Sequence, residues 1–218
     1  MPTSPPSVAI SVGRSIDRRS LRRQQTITEI LAIAVELMAV NGVAALSLSD
    51  VARRLGIQPP SLFKYFPSKL ALYDALFAQG AHGALAAFRE GSTDASPGVP
   101  ALRAGVATMG RWVLANQPLA QLLFWRPVPG FTPSEEAFRP SVELVGEIGG
   151  VLRAAVETGR LRPEAAGEQG QAMLSALIAG AMTQQLANEP AADLDTGRFT
   201  ALLPRLIDMY LLTFEAKP

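Results

Sequence analysis

The chain has 218 residues, enough for one large domain or a small domain joined to a larger one. It has no cysteine and a single histidine, His82, which excludes disulfides, thiolate metal sites and cysteine nucleophiles. Its net charge of +1 conceals an asymmetry: residues 1–70 hold nine basic and four acidic groups, a net +5, and the remainder a net −4, so any polyanionic partner belongs to the first segment.

The N-terminus places Pro and Ser before its charges and leads into no long apolar run, unlike a signal peptide. Apolar windows elsewhere are broken before they could span a bilayer, so a cytoplasmic protein with no membrane partner is expected. Residues 1–20 lack apolar periodicity and read as a disordered basic arm. Arg14 to Arg23 would either follow the minor groove of a duplex or only attract phosphates weakly.

From Arg22 to Val40, Ile27, Ile30, Leu31, Ala34, Leu37 and Met38 recur at helical spacing, and Asn41-Gly42 supplies a left-handed stop. "SLSDVARRLG" then predicts a short helix over Leu48–Leu55. Ser47 and Asp50 would form a capping box, Gly56 would follow the last turn, and Arg53 and Arg54 would face outward. Proline is tolerated in the first turn of a helix, so Pro59 and Pro60 predict a third helix, with Pro60 at its first position and the helix ending near Tyr65. Two short helices joined by "GIQ" have helix-turn-helix geometry. Leu62 and Phe66 share the inward face, which leaves Ser61, Lys64 and Tyr65 for a groove edge and phosphates.

A long helix follows from Ser68 to about Glu90. Further helices are predicted at Ala101–Asn116, Pro118–Trp125, Ser134–Thr158, Ala165–Asn188 and Thr196–Ala216, broken at "RPVPGFTP" and "GRLRP". No strand alternation is visible. The expected fold is all-α: a three-helix helix-turn-helix domain at residues 21–69, then a larger helical-bundle regulatory domain at residues 70–218, about nine helices, forming a two-fold dimer.

"LSLSDVARRLGIQPPSLFKYFPSKLALYDAL" resembles the DNA-binding segment of TetR/AcrR-type transcriptional regulators in order, spacing and residue type over about Ile27 to Phe77. The resemblance implies a DNA-binding head, a helical ligand-binding body and a homodimer through the last two helices. Carried over by position, Ser47 and Lys69 would hold phosphates at helix N-termini. Lys64 and Tyr65 would also face the backbone, and Ser49, Pro59, Pro60, Ser61 and Phe63 would lie nearest the bases. Two positions depart from the family: Phe63 replaces the usual tyrosine, and Pro59 stands where a polar base-reading residue often sits. Both shift readout toward apolar contact with thymine methyls. The body resembles one TetR-type C-terminal subgroup with a Trp-His-Gly signature in its eighth helix, but of Ser175, Ala179 and Gly180 only the glycine agrees.

In the body, Met109, Trp112, Phe124, Trp125 and Met173, with Phe131 and Phe138, either line a cavity for an apolar or aromatic ligand or form core. His82 either contacts that ligand or is structural. The last segments are apolar on more than one face, and burial within one chain explains only one of them, which favours a symmetric dimer. Together these features point to a DNA-binding regulator, a repressor released from a palindromic double-stranded operator by a small-molecule effector. Neither cofactor nor metal is expected, and no constellation of catalytic groups supports an enzyme. The rival readings are a ligand-independent repressor and a helical carrier or enzyme with a vestigial helix-turn-helix.

Overall fold

A computed structural model describes residues 18–216, which form nine α-helices with short 3-10 turns between some of them. Among these residues the only β-pairing is one isolated bridge, Leu161 with Glu215, and no helix is long and apolar enough to cross a membrane. The basic segment at residues 1–17 lies outside the described residues.

Helix α1 runs from Arg18 to Asn41, so it starts inside the segment expected as an arm. It buries Ile30, Ile33, Ala34 and Met38 and ends at Gly42, whose φ of 86° favours glycine while its ψ of 153° is extended rather than left-handed helical. Helix α2, Leu48–Leu55, stops at Gly56 in the expected left-handed conformation. Helix α3 is Pro59–Leu62, and the chain then turns through Phe63–Tyr65. Pro59 rather than Pro60 takes its first position, because Gln58 is already extended and serves as the N-cap. Two prolines fit side by side here, since an N–H at either position would have no helical partner in a first turn.

Helix α4, Lys69–Thr93, is capped by Ser68, whose Oγ accepts the Ala71 N–H at 3.0 Å. It crosses the body and is followed by α5 (Val99–Ala115), α6 (Gln117–Trp125), α7 (Glu135–Glu157), α8 (Glu168–Asn188) and α9 (Leu203–Thr213). Two expected helix starts move inward: Pro163–Ala166 forms a 3-10 turn before α8, and α9 begins only after another at Thr200–Leu202. The side-chain amide of buried Gln185 organises the latter approach by accepting the Phe199 and Thr200 N–H groups and donating to the Glu189 carbonyl.

Two apolar cores result. One fills the body between α4, α5, α7, α8 and α9. The other joins Ile30, Met38, Val51, Leu62 and Phe66 of the head to Leu72, Tyr73, Leu76 and Phe77 of α4 and to Leu119 and Leu122 of α6. The head therefore rests on α6 as well as on α4.

Candidate nucleic-acid interface and effector cavity

Helix α3 has four residues, too few to be stable alone, and its neighbours hold it. Leu62 is fully buried and Phe66 nearly so, which anchors α3 from beneath. From the side, Arg23 of α1 donates to the Lys64 carbonyl at 3.1 Å and lies 5.2 Å from the centre of the Tyr65 ring. Sequence reasoning starts the first helix at Arg22 and gives the Arg14–Arg23 charges only a role at DNA; the structure has Arg23 fasten the end of α3. Its spacing in α1 gives no sign of this, because the partner lies forty-one positions away.

With α3 held this way, Ser49, Pro59, Pro60, Phe63 and Lys64 are exposed, and Ser47, Ser61, Tyr65 and Lys69 are partly so. Phe63 leaves half its surface in solvent, beside the exposed Pro59, Pro60 and Lys64. The Lys64 ammonium makes no ion pair among the described residues. Ser47 occupies the N-cap of α2, but the expected capping box does not form. Its side chain makes no cap bond, and Asp50 instead pairs with Arg53 at 2.8 Å. Arg54 likewise pairs with Glu36 at 2.7 Å. The two outward arginines of α2 thus spend their charge on nearby acids, while the Ser47 hydroxyl stays free at a helix N-terminus that favours an anion.

Lys69 is both clamp and candidate contact. Its Nζ donates to the Ala44 carbonyl at 3.2 Å and lies 5.6 Å from the centre of the Tyr73 ring. One turn later the Tyr73 hydroxyl donates to the Val43 carbonyl at 2.6 Å. Both bonds fix the start of α4 against the turn that precedes α2. Tyr73 is fully buried, and that burial raises its pKa above the ordinary phenol value.

Further along α4, the Asp74 carboxylate accepts the Ser134 N–H at 2.7 Å and its hydroxyl at 2.8 Å. The same Ser134 Oγ accepts the Ala137 N–H at 3.1 Å and caps α7. The head-proximal end of α4 is therefore latched to the first turn of α7.

Below that latch lies an apolar cavity of about 240 Å³, walled by Phe77, Ala81 and Ala84 of α4, Met109 and Val113 of α5, Leu123 and Phe124 of α6, and residues of α7 and α8. Of the six residues expected at a ligand, Met109 and Phe124 line it. The other four do not. Trp112 packs its indole onto Gly83 of α4, where an added Cβ would clash with the ring's Cζ2. His82 turns outward, with Nδ1 2.8 Å from the Ala78 carbonyl, and Trp125 and Met173 lie on the surface. Of the other two aromatics weighed for a lining role, Phe131 is buried beside Tyr73 and Phe77, whereas Phe138 stands at the mouth. Ser175 and Ala179 stand where the related subgroup is expected to have Trp and His. Both are on the wall, and their small side chains leave the space open.

Helix α6 separates the two regions. Leu119 and Leu122 enter the core shared with the head, and Leu123 and Phe124 face the cavity. It ends at Arg126, which adopts a left-handed conformation, φ 45° and ψ 56°, before Pro127. That conformation costs a non-glycine residue about 1 kcal/mol.

Residues 30–76 match the family model of the bacterial regulatory proteins of the tetR family. The HTH-type transcriptional regulator UidR of Escherichia coli K12 is 36% identical over 75 residues, which span 34% of this chain and only 38% of the relative. Among solved structures that share the fold over most of the chain are two named regulators. The TetR-family regulator PfmR from Thermus thermophilus has a TM-score of 0.65 at 22% identity, with 84% of this chain and 97% of that one covered. The regulator FadR from Bacillus subtilis, solved with stearoyl-CoA, has a TM-score of 0.66 at 17% identity over the same shares. The head thus matches the tetR-family model over residues 30–76, and the chain shares the fold of a TetR-family regulator.

Proposed function

We propose that the protein is a homodimeric repressor that binds a palindromic operator and is released from it by a small molecule held in the body. The observation that carries this reading is the position of α4. One helix presents Lys69 beside the recognition segment, anchors Tyr73 in the head core and supplies Phe77, Ala81 and Ala84 to the cavity wall. A ligand that pushes on this wall acts on the base of the head through α4 and, by way of Leu123 and Phe124, through α6. To release DNA it must bind the released arrangement more tightly, by about 1–3 kcal/mol in a typical case. That FadR, a protein of this fold, was solved with stearoyl-CoA supports a body that takes a ligand.

DNA contact is assigned to Ser47, Lys64, Tyr65 and Lys69 at phosphates and to Ser49, Pro59, Pro60, Ser61 and Phe63 nearest the bases. A proline at the first two positions of α3 donates no hydrogen bond, so apolar contact with thymine methyls carries much of the readout. Dimerisation is assigned to α8 and α9, where Met173, Met209 and Leu212, with Leu202 just before α9, remain exposed after the monomer has buried Leu203, Ile207 and Tyr210. The regulator works in the cytoplasm and has no catalytic role.

Fluorescence anisotropy of the purified protein on DNA from upstream of its own coding sequence, against a randomised duplex pool, tests this reading. Selective binding with a steep salt dependence is expected. Equal, weak binding to both would refute the regulator and leave the body as a carrier.

A further inference from the structure

The effector cavity is apolar except at its mouth. Its wall carries two hydroxyls, Ser141 and Ser175, and one charged group, Arg126, and no carboxylate. The Arg126 guanidinium lies 5.7 Å from the centre of the Phe77 ring and 5.5 Å from that of Phe138. These rings stack on each other with centres 6.0 Å apart. Elsewhere in the body Arg89 pairs with Glu143 and Glu147, Arg139 with Glu143, Arg111 with Asp195 and Arg103 with Asp208, whereas Arg153, Arg160, Arg162, Arg198 and Arg205 pair with no acid among the described residues but line no part of this cavity. Arg126 has no acidic partner among the described residues. It is also the one described non-glycine residue at positive φ, a conformation that persists only where the surroundings over-determine it. Pro127 forces α6 to end here, and the guanidinium is held by two aromatic faces that accept none of its N–H groups.

We infer that the cavity binds a small organic carboxylate, its apolar body packed against Met109, Val113 and Ile178 and its anionic head paired with Arg126. This rests on the reading of the cavity as the effector site and names the class of effector. A guanidinium fork matches a carboxylate in two parallel hydrogen bonds, and Arg126 is exposed at the cavity wall, so its N–H groups can exchange water for an anionic head. About 240 Å³ holds roughly eight water-sized groups at about 30 Å³ each. That suits a medium-length acyl chain or a single aromatic ring.

Titration calorimetry on the full chain tests the assignment with octanoate and phenylacetate, each beside its uncharged amide. At least one acid is expected to bind about tenfold or more tightly than its own amide, and which acid wins distinguishes an acyl from an aryl ligand. In Arg126→Gln and Arg126→Gly that preference should fall to about one while amide binding is kept. The glycine variant accepts positive φ without steric cost, so its fold is not in question. An acid preference that survives both substitutions overturns the role of Arg126. Equal binding of acid and amide by the native chain overturns the anionic class but leaves the cavity reading standing. If none of the four compounds binds, both readings are overturned.

Discussion

Replacing Lys69 by methionine separates the two things its ammonium can do. Methionine keeps an unbranched stem beside the Tyr73 ring and removes the charge. In the free protein this loses the 3.2 Å bond to the Ala44 carbonyl and the cation held 5.6 Å from the Tyr73 centroid. The site is partly exposed, so the loss amounts to about 1 kcal/mol, a drop in Tm of about 2–4 °C for a chain of this size. On DNA the ammonium can keep Ala44 and still donate to one phosphate. Each such contact contributes about 0.9 to the slope of log K against log salt, so raising salt from about 50 to about 200 mM should weaken the native protein about 3.5-fold more than the variant. The loss of affinity should fall equally on operator and random duplex. Anisotropy titrations over that salt range, with thermal unfolding of the same samples, read both effects. A lower Tm with an unchanged salt slope would refute the phosphate role and leave Lys69 as a clamp only.

Three further outcomes are expected. Arg23→Met should weaken operator binding by roughly tenfold by loosening the end of α3, with the salt slope unchanged; a slope lower by about one unit would mean that Arg23 meets a phosphate itself. Ser134→Ala removes the α7 cap and one bond to Asp74 and should cost about 1–2 kcal/mol in thermal unfolding; an unchanged Tm would show that the latch contributes nothing. Burial raises the pKa of Tyr73 and pushes that of Tyr210 up to about 12. Below pH of about 10 both phenols are neutral in folded and unfolded chains alike, and above it only the unfolded chain loses the proton. Stability should therefore be flat up to about pH 10 and fall as pH rises toward about 12, by about 2 kcal/mol for Tyr210. Denaturant unfolding of Tyr210→Phe over this range should show a smaller fall, and an identical one would rule out Tyr210 as the cause.

The head was legible because its signals are local. The stop at Gly56, the paired prolines opening α3 and the Leu62–Phe66 pair each lie within a few residues of what they determine. The capping box failed because Asp50 found Arg53 on its own helix, three positions on. The bonds of Arg23 to Lys64 and of Ser134 to Asp74 were invisible because each partner lies far along the chain. In the body, aromatic residues at helical spacing could be core or cavity wall, and the answer depended on what faced them. Gly83 admits the Trp112 ring into the helix packing, whereas small Ser175 and Ala179 leave room beside Phe124. Arg126 gave no signal at all, since only the fold places a basic residue at an interhelical break over two stacked rings.

Hydroxyl-radical footprinting of the protein on DNA from upstream of its own coding sequence tests the central claim most directly. A two-fold dimer placing two copies of α3 in successive major grooves should protect two symmetric patches about one helical turn, or a whole multiple of it, apart. A single patch without a symmetry mate, or protection spread evenly along the duplex, would contradict the dimeric, operator-specific regulator.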